Sequence, residues 1–216
     1  VPAKDGDVHN RPKQYLLPEN EPCPFLEEMG VMTATGQVKA SHYRKYRQSN
    51  RFLELANDVV PHLPATGELR VVDFGCGKSY LTFALHHLLT KIHRRDVRIV
   101  GLDRKADVVR HCQTVADRLD CQGLAFRQGD IAEHETDVVH LAVSLHACDT
   151  ATDDALAKAV AWQAQVILAV PCCQKELAGR MTPDFLPLVQ QHGLLKDRLA
   201  AILTDALRAQ ALELQG

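Results

Sequence analysis

Between Val71 and Leu85 the chain reads VVDFGCGKSYLTFAL. An apolar run ends in Asp73, the chain turns through Gly75 and Gly77, and Leu81, Ala84, Leu85, Leu88, Leu89 and Ile92 then follow at helical spacing. A strand that passes through a glycine turn into a helix is the first βα unit of an open parallel sheet. Its turn lies at the carboxyl edge, where ligands bind. This feature dictates both the fold class and the place to look for a site.

Two familiar glycine motifs fail here on a required residue. A G-x-G-x-x-G dinucleotide turn needs glycine at position 80, which is Tyr80. A phosphate-binding P-loop ending in Gly77-Lys78-Ser79 needs glycine at position 72, which is Val72. The carboxylate of Asp73, just ahead of the glycines, would repel a pyrophosphate and favour a cation, such as the ammonium end of S-adenosylmethionine (SAM). The D-x-G-x-G pattern fits the first motif of Rossmann-like SAM-dependent methyltransferases. Ser79 stands where many of those enzymes have a third glycine, and it is small enough to permit close approach.

Downstream, strands and helices alternate. Leu69–Phe74, Val97–Leu102, Leu124–Gln128, Val138–Leu145 and Val166–Val170 read as strands. Helical stripes lie after the first two strands, across Asp153–Ala161, near Asp184–Gln191 and from about Leu194 to Leu214. A helix also reads from Phe52, with Leu55, Ala56, Val59, Val60 and Leu63 on one face. The expectation is α/β: a doubly wound, mainly parallel, Rossmann-like sheet with helices on both faces. Residues 1–50 read as an irregular, partly helical lead-in and 51–216 as the cofactor-binding domain. A chain of 216 residues is long enough for one well-cored domain. Its net charge of −2 does not point to a general polyanion binder. Seven scattered cysteines and no secretory segment predict reduced thiols and a cytoplasmic protein. No apolar run is long enough for a membrane span. No segment points to an obligatory protein partner.

The predicted strand exits carry the candidate site. Asp103 ends the second strand, 26 residues beyond Gly77; it can accept both ribose hydroxyls of an adenosine cofactor, with Arg104 beside it, or cap the next helix. Asp130 ends the third in RQGDI and suits the adenine amino group, with Ile131 packing on the ring, or serves as a turn aspartate. The loops at Gly75, Cys76 and Gly77 complete the cofactor set. The fourth strand exits into SLHACDTATDDAL, bringing His146, Cys148 and Asp149 to where a methyl group would meet its acceptor. His146 suits a general base near neutral pH or a loop histidine bonded to backbone, and Asp149 a weaker base or a helix cap. The fifth exits into VPCCQKEL, whose Pro171, Cys172 and Cys173 read as the wall of a substrate pocket. Adjacent cysteines do not match structural zinc spacing, so no metal is expected. The segment SHYRKYRQSNR (41–51) interleaves cations with aromatics. That pattern suits single-stranded RNA or is a solvated helix face, and Lys45 and Gln48 are candidates to fold over the cofactor.

Taken together, DFGCGKSYLTFAL, GLDRK, GDI, SLHACDTATDDALAKA and VPCCQKEL resemble a bacterial group of SAM-dependent methyltransferases. That group is similar to eukaryotic methyltransferase-like (rRNA adenine dimethylase-like) proteins, and more distantly to tRNA 2′-O-methyltransferases of the acceptor stem. The likeness runs from about Asn10 to Gln215, and YRKYRQSNRFLE resembles the group's lead-in helix. It implies methyl transfer from SAM, leaving S-adenosylhomocysteine, to an acceptor that is RNA. It places the methionine end of SAM at Asp73, Gly75 and Gly77, the ribose at Asp103 and the adenine near Asp130. Substrate-side residues map to His146, Cys148, Asp149, Pro171, Cys172 and Cys173. It also implies a seven-stranded sheet. With a start at Val1 and a last helix near Gly216, the expectation is a fragment without the last two strands and without part of the acceptor region. A small-molecule or protein methyltransferase, or a non-catalytic SAM- or RNA-binding module, fits the same cofactor site.

Overall fold

The computed structural model describes residues 15–130, 136, 138–145, 147, 149–171, 174–182 and 184–215. The chain divides into two compact units, Val1–Leu55 and Ala56–Gly216.

In the first unit, helix α1 (Pro24–Glu28) starts with proline at a position where its missing N–H costs nothing. An isolated antiparallel bridge pairs Met32 with Val38. Helix α2 (Tyr43–Val59) begins in this unit. Four of its buried residues, Tyr46, Ser49, Asn50 and Leu53, are spaced i, i+3, i+4, i+7. Two of those four are polar, which is why apolar periodicity places the helix start at Phe52 and the structure at Tyr43. The polar pair of Tyr46 and Asn50 satisfies a buried extended segment. Asn50 Oδ1 accepts the Leu17 N–H at 2.9 Å, and Tyr46 Oη donates to the Leu17 carbonyl at 2.5 Å.

The second unit is built on five parallel strands, β1 (Leu69–Phe74), β2 (Val97–Asp103), β3 (Leu124–Gln128), β4 (Leu141–Ser144) and β5 (Val166–Ala169), in the order β3-β2-β1-β4-β5. Five of the six residues of central β1 are buried, whereas all four of edge strand β5 are half-buried. Parallel strands need long crossovers, and these are α3 (Tyr80–His87, continued by a π-helical turn over Leu88–Ile92), α4 (Ala106–Arg118) and α5 (Thr150–Ala161). After β5 come α6 (Lys175–Arg180), α7 (Pro187–Gln190) and α8 (Gly193–Glu213).

Helices cover both faces. Phe74, Val72, Leu102 and Ala142 pack against Ala155 and Ala159 of α5, and Phe74 stacks on Trp162 with ring centroids 5.5 Å apart. On the opposite face Phe83 of α3 meets Phe126 of β3. The β3–β4 connection of 12 residues (129–140) is near the minimum for a crossover, and none of its described residues is helical. One expectation is corrected. α6, too short for a periodic stripe, was not expected at all.

Candidate cofactor and active site

The β1 tip places Asp73 between Gly101 of β2 and Val143 of β4. Its carboxylate is buried, at 3% exposure. Thr82, in the first turn of α3, donates to Oδ2 at 2.5 Å, while Oδ1 is buried with no partner among the described residues. Burial pushes the carboxyl up to about 7; the Thr82 hydrogen bond works against this and nearby Asp103 adds to it. A buried oxygen with an open lone pair at a glycine turn is poised for a donor, above all a cationic one.

Both glycines of the turn have left-handed backbone, φ 66° at Gly75 and 53° at Gly77. Ser79 adopts the same region at φ 57°, so the serine in the third-glycine position still takes a glycine-like conformation. Its hydroxyl secures that conformation, 3.3 Å from the Gly77 carbonyl and 3.2 Å from Cys112 Sγ. The turn is latched to β2. Cys76 N–H donates to the Leu102 carbonyl at 2.9 Å, and Gly77 N–H donates to Asp103 Oδ2 at 3.0 Å. The other Asp103 oxygen accepts Lys105 N–H at 2.9 Å at the start of α4. Asp103 therefore clamps the glycine turn and braces the backbone just ahead of α4, and each oxygen keeps a second lone pair for a hydroxyl donor.

Cys76 takes part in the turn through its backbone. Its thiol is buried at 2% exposure, where a Cβ on Gly101 would lie 3.3 Å from its Sγ, and burial pushes its pKa far up. Only its main chain faces the turn. Asp130 is ion-paired with Arg104, a contact that ties the β2 and β3 exits together. Ile131 lies outside the described residues. Sequence reasoning missed the parts played by Thr82, although it stands inside the VVDFGCGKSYLTFAL stretch, and by Cys112, which reads only as a member of an apolar helical stripe.

On the acceptor side, His146, Cys148, Cys172 and Cys173 lie outside the described residues. Pro171 is half-buried directly beyond β5. Asp149 is described, and its carboxylate receives the backbone N–H of Glu176 at 3.1 and 3.2 Å. That contact anchors α6, a helix other than the α5 that directly follows Asp149. Its carbonyl accepts Arg208 of α8 at 2.9 Å, and the same guanidinium bonds Asp153 at 2.6 Å. Lys45 and Gln48 sit on α2 in the first unit; Gln48 is exposed and Lys45 half-buried. No cluster of three or more metal-ligating side chains occurs among the described residues. None of their helices is long and apolar enough to cross a membrane.

An open parallel sheet whose first turn joins a buried carboxylate to a second at the neighbouring strand tip defines a Rossmann-like nucleoside-cofactor enzyme. A family model described as a methyltransferase domain matches residues 44–180, and the chain belongs to that family. No curated protein matches the sequence significantly. Among solved structures, the chain is similar to the YcgJ protein from Bacillus subtilis, with a TM-score of 0.38 and 17% identity over 51% of this chain and 44% of that one. It is similar to geranyl diphosphate methyltransferase in complex with GPP and sinefungin, with a TM-score of 0.43 and 18% identity over 55% and 41%. A third likeness is coclaurine N-methyltransferase bound to N-methylheliamine and SAH, with a TM-score of 0.39 and 13% identity over 52% and 33%. The chain spans less than half the length of each of these three.

Proposed function

We propose that the chain is an SAM-dependent methyltransferase domain acting on RNA in a reducing, cytosolic compartment. The observation that carries the cofactor reading is the open Oδ1 of Asp73, buried at the head of a glycine turn in a methyltransferase-family chain. When bound, SAM supplies a methyl group already activated by its sulfonium, so that transfer is an in-line displacement.

The residues of this chain bind, orient and deprotonate. Asp73 accepts from the ammonium of the methionine end, and the main chain at Gly75, Cys76 and Gly77 lines that end. Asp103 accepts the ribose hydroxyls through the lone pairs that Gly77 and Lys105 leave open. Asp130, held by Arg104, and Ile131 flank the adenine. His146 takes the proton of the acceptor atom. Cys148, Pro171, Cys172 and Cys173 wall the acceptor pocket, and the chain's part there is chiefly positioning. Two features support RNA as acceptor. One is the basic and aromatic segment 41–51; the other is the likeness to rRNA adenine dimethylase-like proteins and tRNA 2′-O-methyltransferases.

The test is transfer of labelled methyl from SAM into lysate of cells lacking the protein, sorted by nuclease and protease. Nuclease-sensitive label is expected. Protease-sensitive or small-molecule label overturns the RNA acceptor and keeps the cofactor reading; failure to bind SAM overturns both. Substituting His146→Ala is expected to lower transfer while leaving SAM affinity intact, and equal loss of both would make it structural.

A further inference from the structure

The exposed face of α2 forms a groove of about 720 Å³ with Tyr15, lined by Tyr43, Arg44, Arg47, Gln48 and Arg51 and closed at one end by Glu54. Arg44, Arg47, Gln48 and Arg51 are spaced i, i+3, i+4, i+7, so they stack along one side of the helix. The row covers about 10 Å at ~1.5 Å per residue. It is not the core face, which is Tyr46, Ser49, Asn50 and Leu53.

This face differs from an ordinary solvated one. Of its three arginines only Arg51 has an ion pair, with Glu54 at 2.8 Å. Among the described residues, Arg44 and Arg47 have none. The first turn of α2 contains no acidic residue, so these cations oppose the helix dipole without an internal counter-charge. An anion brought from outside relieves that conflict. Beside the cations lies a prepared aromatic surface. Tyr43 is 40% exposed, its hydroxyl donates to Glu19 at 2.8 Å, and its ring rests 5.8 Å from that of Tyr46. Tyr15 meets Tyr46 edge-on at 5.4 Å. A ring held at its hydroxyl and backed by a second ring loses little freedom when a base stacks on it.

We infer that this groove binds single-stranded RNA, with Arg44, Arg47 and Arg51 on successive phosphates and Tyr43 stacked on an unpaired base. An acidic peptide would use the arginines and leave the ring idle, and duplex RNA would hide the base faces. The inference rests on the RNA reading above and gives it a place of contact.

The test is fluorescence anisotropy of a labelled 12-nucleotide single-stranded RNA with the intact chain at several salt concentrations. Three phosphate contacts give a slope of log affinity on log salt of about −2, and Arg44→Ala with Arg47→Ala makes it shallower by about 1.4. Tyr43→Ala weakens binding about 5- to 150-fold, and Tyr43→Phe retains it. Thermal melting of each variant controls for folding, and the arginine pair, fully on the surface, carries the test if Tyr43→Ala unfolds. No binding by the intact chain, an unchanged slope in the double variant, or equal binding of a polyglutamate peptide or an RNA duplex overturns the groove. The labelled-methyl assay separates the two failures. Methylated RNA with undiminished affinity in the double variant sinks the groove alone. Groove-dependent RNA binding without RNA methylation sinks the acceptor reading and leaves the groove as a binding site.

Discussion

The two halves of the sheet's carboxyl edge are held in different ways. At the exits of β1 to β3, Asp73 is held by Thr82 nine residues on, and Asp103 by Gly77 and Lys105, with Arg104 closing onto Asp130. At the exits of β4 and β5, beside the local bond of Thr152 to the Ala147 carbonyl, the described anchors come from the helices that follow the sheet, Glu176 and Arg208 fastening Asp149 across 27 and 59 residues. Burial follows position in the sheet, with central β1 and β4 buried along most or all of their length and edge strand β5 half-exposed throughout. One half is thus a ligand cradle tied among its own strand exits. The other is a surface assembled from later helices, which is where an enzyme gains freedom to change what it acts on.

The largest test of this contrast compares strand floors. Phe74→Ala removes a fully buried ring stacked on Trp162 and is expected to cost about 3–5 kcal/mol in urea unfolding. Leu168→Ala on half-buried β5 is expected to cost less than about 2 kcal/mol; equal losses would break the comparison. Next, Asp103→Ala weakens SAM binding by about 1–3 kcal/mol in calorimetry, through lost charge-assisted hydrogen bonds and a freed glycine turn. Asp149→Ala costs about 0.5–2 kcal/mol of stability through the lost α6 anchor and leaves SAM affinity unchanged. If Asp149→Ala weakened SAM as much as Asp103→Ala, the two halves would be one site.

A pH titration sharpens the cradle further. The Asp73 carboxyl, raised by burial to about 7, holds an extra proton in the fold from roughly pH 4 to 7, so unliganded stability falls as pH rises through that window. SAM affinity runs the opposite way, rising up to about pH 7, because the ionised carboxylate attracts the ammonium. Asp73→Asn is expected to flatten both slopes, and a persisting slope in binding would assign the titration elsewhere. The smallest effect belongs to Arg104→Ala, whose exposed ion pair with Asp130 is worth less than about 1 kcal/mol of stability.

The sequence was most legible where contacts are local. β1 and β3 lie at their expected limits, and Asp73, Gly75, Gly77 and Asp103 converge because the βα turn has its own short motif. Thr82 escaped notice because a hydroxyl reaching back to a strand tip leaves no periodic trace. The early start of α2 escaped because Ser49 and Asn50 fill core positions with polar groups, Asn50 serving Leu17 together with Tyr46. The partner of Asp149 was illegible because capping was expected within one helix, and the structure spends that carboxylate on another. Cys76 reads as a site residue from its place between two glycines; only the packing against Gly101 turns it inward.

The Arg208 clamp has a consequence for how the molecule is made. Its side chain, 10% exposed, is what Asp153 and the Asp149 carbonyl bind, and it follows them in the chain by 55 and 59 residues. At ribosomal rates of about 5–20 residues per second, those partners emerge some 3–12 s before the arginine that completes them. The cradle of β1 to β3 has all its described ties within the nascent chain by Asp130, whereas the far side of the sheet waits for nearly the last helix to be synthesised.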